Sequence, residues 1–148
     1  MKNSAFIRLL GETDTQYEDI YTTYGVSFVK GSYFQLVIKS DMKDYVTNNS
    51  RLSHGVQMLA KPQYAKYNSR SFSLTCLIEA VSMSEYVSRL EAFTDRISQG
   101  LFFLKVPSRH RVFKLVYKNI KPKEEFRGNR ATFTIELTEP NPEDRVII

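Results

Sequence analysis

The stretch from Ser71 to Pro107 constrains the fold most, because its hydrophobic period changes twice. Ser71-Phe-Ser-Leu-Thr-Cys-Leu-Ile-Glu-Ala80 alternates, placing Phe72, Leu74, Cys76 and Ile78 on one face. That period of two belongs to a half-buried strand. Ser82 and Glu85 then have the spacing of a capping box, in which hydroxyl and carboxylate each satisfy the other residue's amide. Met83, Tyr86, Val87, Leu90, Phe93 and Ile97 follow at helical spacing, with charged and small polar residues on the opposite face. Gly100 supplies a left-handed stop, so the helix is expected at about 83–99. Leu101–Val106 is a new strand, closed by Pro107. The expected unit is one amphipathic helix laid on a sheet.

Two further strands are expected downstream. Arg111–Asn119 puts Phe113, Leu115 and Tyr117 on one side and Lys114 and Lys118 on the other. Ala131–Thr138 alternates Ala131, Phe133, Ile135 and Leu137 with Thr132, Thr134, Glu136 and Thr138. One polar face per strand indicates antiparallel strands solvated on one side. Between them, Lys121–Asn129 reads as a charged hairpin loop. Pro140 and Pro142 end the domain, and residues 143–148 form a tail with apolar Val146, Ile147 and Ile148.

The first half is less regular. Residues 1–19 read as a polar N-terminal arm holding at most a short strand at Phe6–Leu10. Asp19–Tyr24 and Val26–Val29 suggest a strand interrupted at Gly25. Tyr33–Ile38 fits a strand or a short helical turn. Lys43–Thr47 and Val56–Ala60 read as short strands around a polar loop, Asn48–Gly55. The expected class is α+β, mainly β: an antiparallel β-sandwich or barrel with one long helix, as a single domain over residues 1–148.

Composition narrows the chemistry. A single cysteine excludes an internal disulfide, and Cys76 falls on an apolar strand face, where a thiol packs as a small hydrophobe. No apolar run approaches the roughly 20 residues of a membrane helix, so no membrane association is expected. No phosphate-binding glycine loop and no G-x-S-x-G turn occur. His54 and His110 are far apart in sequence and lie in expected loops. Asp41 with Asp44, and Glu124 with Glu125, read as solvated surface charges. No catalytic, cofactor-binding or metal-ligating residue is assigned, and no cofactor or small-molecule substrate is expected.

The formal net charge of +5 is unevenly placed. Glu12, Asp14, Glu18 and Asp19 make the N-terminal stretch acidic. Between Lys105 and Arg130, nine Lys or Arg face only Glu124 and Glu125. Interleaved with Phe113, Tyr117 and Phe126, that stretch gives a second reading, a basic sheet face for nucleic acid. Against it, Phe113 and Tyr117 share the inward face.

The segment from Ser71 to Arg145 resembles the N-terminal domain of the distal tail proteins of siphophages, and more broadly the tail-tube fold. The resemblance runs in order through the strand Ser71–Ala80, the helix with Tyr86, Leu90 and Phe93, Gly100, the strand to Pro107 and the aromatic strand with Phe113, Leu115 and Tyr117. It ends in the closure Glu139-Pro140-Asn141-Pro142. Tyr24-Gly25-Val26 and the loop through His54-Gly55 resemble the N-terminal half of such proteins more loosely. The resemblance implies a non-enzymatic virion structural protein of a phage or prophage tail. It implies a ring, usually of six copies, contacting itself and other tail proteins, located in the virion tail and assembled in the bacterial cytoplasm. In such a ring the acidic stretch from Glu12 to Asp19 is expected to face the basic stretch from Lys105 to Arg130 of the next copy. A tail terminator or connector shares the same pattern. At 148 residues no second, carbohydrate-binding-like domain is expected, which implies assembly rather than host-surface recognition. On this reading nucleic-acid binding is weak and unspecific.

Overall fold

The computed structural model describes residues 5–29 and 31–148. Along the chain run β1 (Phe6–Leu9), β2 (Glu18–Asp19), α1 (Ile20–Tyr24), β3 (Val26–Phe28), α2 (Ser32–Val37), β4 (Thr47–Asn48) and β5 (Gln57–Met58). Then come β6 (Arg70–Glu79), α3 (Met83–Ile97), β7 (Leu101–Val106), β8 (Arg111–Arg127), β9 (Arg130–Glu139) and β10 (Val146–Ile147). One antiparallel sheet takes the order β2-β1-β7-β8-β9-β6-β3, with β10 paired to β8; β4 and β5 form a separate hairpin.

Long β8 joins the two ends of this sheet. Its first half pairs β7 and its second half pairs β9, with register shifts after Tyr117, Pro122 and Glu124. Ile7, Phe102 and Leu104 from one end of the sheet therefore share a core with Leu74, Cys76, Ile78, Phe133 and Ile135 from the other. The fold class is α+β and mainly β, as the alternation implies.

The central unit forms as its sequence predicts. The Ser82 hydroxyl accepts from the Glu85 amide at 3.2 Å. The helix ends at Ile97 rather than at 99. Its apolar stripe is only half used: Phe93 and Ile97 are buried, Tyr86 and Leu90 are half-buried, and Met83 and Val87 are 57% and 43% exposed. Phe93 packs between Tyr24 (ring centroids 5.7 Å apart) and Phe133 (6.2 Å). Phe93→Ala should cost about 3–5 kcal/mol in denaturant melts, the range for an aromatic cut from a core. A loss under about 1 kcal/mol would mean that the helix does not organise the core.

Several expectations are corrected. Residues 5–19 are no arm: β1 lies between β2 and β7, with Ala5 and Ile7 in the core. Residues 1–4 of that expected arm lie outside the described residues. Asp19–Tyr24 is not a strand, because the Asp19 carboxylate accepts from the amides of Tyr21 and Thr22 and starts α1. Gly25 ends that helix at φ +69°. A Cβ there would lie 2.5 Å from both the Glu79 carbonyl oxygen and Arg89 Nη1, so this crossing over β6 requires glycine. Tyr33–Ile38 resolves to the helix α2. Lys43–Thr47 contributes little strand, since β4 holds only Thr47 and Asn48.

Lys121–Asn129 is not a loop. β8 runs through it to Arg127, and the turn is Gly128-Asn129 alone. Only Gly128 has positive φ there (+69°), as a two-residue hairpin with glycine first requires. Nor do residues 143–148 hang free, since Val146 and Ile147 pair with Val112 and Arg111.

Tyr24 and Tyr33 are buried phenols, each pushed up to about 12, mainly by burial. The Glu18 carboxylate adds to the effect at Tyr24, while Arg109 opposes it at Tyr33. An unfolded tyrosine ionises near 10. Between about pH 10 and 12 the unfolded chain releases protons that the folded chain keeps. The stabilisation is therefore complete below 10 and is lost as pH rises towards 12. Melts across that window should fall by roughly 2 kcal/mol for each phenol. Tyr24→Phe and Tyr33→Phe should flatten the slope; an unchanged slope in the double variant would refute the assignment.

Candidate functional site

The feature with most functional content is the excursion between α2 and β6. No residue from 39 to 69 is buried. It leaves the body at Ile38, returns at Arg70 and is zipped along its length. The Asn68 amide donates to Asp41 O at 3.0 Å, and the Lys43 amide to Lys66 O at 2.7 Å. Met42 bridges Tyr67, the Leu59 amide donates to Val46 O at 2.9 Å, and β4 pairs β5. The result is a two-stranded arm tipped by Ser50–Gly55. Val46, Leu52, Val56, Met58, Leu59 and Tyr64 are exposed along it, Leu52 at 98%. The sequence reading placed a polar loop and two short strands here, and missed that they form one projecting ribbon. A two-stranded hairpin is at best marginally stable alone in water.

The arm is rooted in a buried ion cluster that the sequence reading also missed. Arg70, Glu139 and Arg145 meet where the arm leaves and rejoins the body, and Glu139 is fully buried. Arg145 grips Glu139 through two bonds of 2.8 Å, from Nε and Nη2. Arg70 Nη2 lies 3.2 Å from the same carboxylate. Both guanidinium groups also donate to the C-terminal carbonyls of α2. Arg70 reaches Gln35, Leu36 and Ile38, and Arg145 reaches Val37 and Ile38. Those carbonyls have no partner within the helix and carry its negative dipole end, so two cations complete them. Burial lowers the Arg70 pKa, with Glu139 opposing. A cleft of about 810 Å³ opens beside this root, between Lys43, Ala65–Ser69 and Pro140, Asn141 and Glu143.

A second surface lies along α3. Met83, Tyr86 and Leu90 of its apolar stripe face the β8–β9 hairpin across a groove of about 390 Å³. Met83, Tyr86, Leu90, Ile120 and Phe126 line it, and Glu124 and Glu125 stand at its margin. Tyr86 and Phe126 stack with centroids 4.9 Å apart and planes at 18°.

The charged stretches resolve differently from expectation. Glu12 and Glu18 both reach Arg96, at 2.6 Å each; Asp14 pairs Arg8 at 3.3 Å; Asp19 caps α1. The hydrogen bond from Arg96 holds the Glu12 carboxyl below the usual carboxylate range. The acidic stretch thus pairs within its own chain. Of the basic residues, Lys114 pairs Asp144 at 2.9 Å and Lys121 pairs Glu136 at 2.7 Å. From Lys118 to Arg127, β8 has β9 on one side and no strand on the other among the described residues. Lysines, Pro122 and register shifts along an open edge block unwanted strand pairing. Of the aromatics placed in the nucleic-acid reading, Phe113 is fully buried, Tyr117 is half-buried against the core and Phe126 is stacked on Tyr86.

Among the described residues, no three His, Cys, Asp or Glu side chains gather as a metal site needs. His54 sits at the arm tip, and His110 follows a short turn after β7 in the left-handed region. Cys76 is fully buried, which pushes its thiol up. No helix among the described residues is long and apolar enough to cross a membrane.

No protein-family model and no curated protein matches the chain. Among solved structures it is similar to SPP1 Dit (gp 19.1), described as a paradigm of the hub adsorption apparatus of phages that infect Gram-positive bacteria. The likeness has a TM-score of 0.57 at 10% sequence identity and covers 93% of this chain. The chain spans 50% of the length of that structure. Over nearly its whole length the chain is therefore similar in fold to that phage hub protein.

Proposed function

We propose that this chain is a non-enzymatic structural subunit of a phage or prophage tail, a single distal-tail-like domain that assembles as a ring. The ring is expected to hold six copies and to contact other tail proteins, in the virion tail, after assembly in the bacterial cytoplasm. The fold likeness supports the placement. The observation that carries the assembly role is the arm: residues 39–69 include no buried position yet carry six large exposed apolar side chains. A loop of that length without a core of its own is characteristic of binding elements. One leg from Ser40 to the tip is about 12 residues, or up to ~40 Å extended. The radius of gyration of a domain of this size is about 15 Å, so the arm can reach across much of a neighbour.

A head-to-tail contact between different patches on each copy closes into a ring when the rotation closes. Sedimentation and light scattering of the full chain should show mass rising with concentration towards one closed species. A strict monomer at millimolar concentration, alone and with tail partners, would end this reading.

A tail ring must let DNA pass without retaining it. Binding to single- or double-stranded DNA should appear only at low salt and vanish by about 0.2 M, as a purely phosphate-driven contact does. Tight binding that survives this salt and depends on Phe126 or Tyr117 would favour the nucleic-acid reading instead.

A further inference from the structure

We infer that the groove between the first half of α3 and the β8–β9 hairpin is the seat for the arm tip of the next copy. This rests on the ring reading and deepens it by naming both halves of the contact. The first observation is the unused helix stripe. Met83 lies at helical spacing with the buried Phe93 and Ile97, yet stays mostly in water and lines the groove beside the Tyr86–Phe126 stack. An amphipathic face continued past its own core needs another surface to cover it.

The second observation is charge. From Tyr45 to Ile78 the chain has no Asp or Glu, while Arg51 and Lys61 flank the apolar Leu52, Val56, Met58 and Leu59 of the arm. Glu124 and Glu125 rim the groove and have no ion-pair partner among the described residues. A basic apolar ribbon thus meets an acidic apolar groove, and matched rims of this kind set register and encounter rate.

The other open surfaces fit less well. The outer sheet face around Phe103 is already covered by Arg8, 3.9 Å from its ring, and by Lys114 at 5.7 Å. That face would also repel a basic arm. The open edge of β8 carries Lys118, Lys121, Pro122 and Lys123. The arm and the groove are different patches, so the contact is head-to-tail, as a ring requires.

The test uses full-length chains with engineered cysteines, since native Cys76 is fully buried. Met58→Cys and Met83→Cys proteins are prepared separately, then mixed and treated with a short bis-maleimide. The mixture should give a cross-linked dimer at a yield roughly tenfold above either protein alone, because only the mixture pairs the arm with the groove. In parallel, the Glu124→Lys/Glu125→Lys variant should associate roughly tenfold more weakly, and adding Arg51→Glu/Lys61→Glu should restore association. If the chain associates but the mixture gives no excess cross-link and the charge reversal has no effect, the arm docks elsewhere. That result overturns this inference and leaves the ring reading intact. If the unmodified chain never associates, both fall.

Discussion

Replacing Glu139 with Ala should cost about 3–5 kcal/mol, the range for removing one partner from a buried ion cluster. The cause is the two arginines left behind. Arg70 and Arg145 are held against each other and against the α2 carbonyls, and Glu139 is the carboxylate that neutralises part of their charge. Glu139→Gln retains volume and an acceptor but not the charge, so it should lie between wild type and Ala. In an ordinary ion triad, replacing all three members by apolar residues is close to neutral. Here Arg70→Met/Glu139→Leu/Arg145→Met should stay destabilised by about 1–3 kcal/mol, because the α2 carbonyls lose their donors as well. Urea melts of the three variants check this order. A triple variant as stable as wild type would mean that the cluster does not fasten the root of the arm.

Removing the arm should have the opposite profile: little effect on folding and a large effect on assembly. Val46 and Leu59 already face each other across the ribbon, so Thr47–Met58 can be replaced by an Asn-Gly turn. None of the removed residues is buried. The stability of the body should therefore change by less than about 0.5 kcal/mol, as for surface changes in general. Association should weaken by at least about 100-fold, equivalent to ~2.7 kcal/mol of lost contact. Analytical ultracentrifugation with parallel melts separates the two effects. An arm-less chain that associates normally would remove the arm from the interface.

These two features differ in how far the sequence discloses them. The strand–helix–strand centre is legible because its apolar period changes cleanly from 2 to 3.6 and back over segments long enough to read. The two short helices are not. α1 spans five residues rich in Tyr and Thr, and α2 spans six. Those residues favour strands, and tertiary packing of Ile20, Tyr24, Tyr33 and Leu36 decides against that preference. The second half of β8 is hidden by Pro122 and a run of charge, both tolerated because that strand has an open edge.

The ion cluster was legible in part. In β9 the inward series Ala131, Phe133, Ile135 and Leu137 continues at Glu139, and in β6 the series Leu74, Cys76 and Ile78 extends back to Arg70. An acid and a base at inward parity on strands of one sheet are a signal, and the register sets them directly opposite each other. Arg145, beyond the two prolines, leaves no such trace. Its place depends on the chain turning back after Pro142 to pair Val146 with Val112. The acidic N-terminal stretch misled for a related reason. Its charge looks available for a neighbour, but Arg96 takes up Glu12 and Glu18, and that arginine lies far along the chain on the polar side of α3.

Electron microscopy of particles formed by the concentrated full-length protein is the most direct test of the central claim. Closed rings with an open centre and about six repeats, absent when Thr47–Met58 is replaced by Asn-Gly, are the predicted result. Monomers alone, or rings that form equally well without the arm tip, would contradict it.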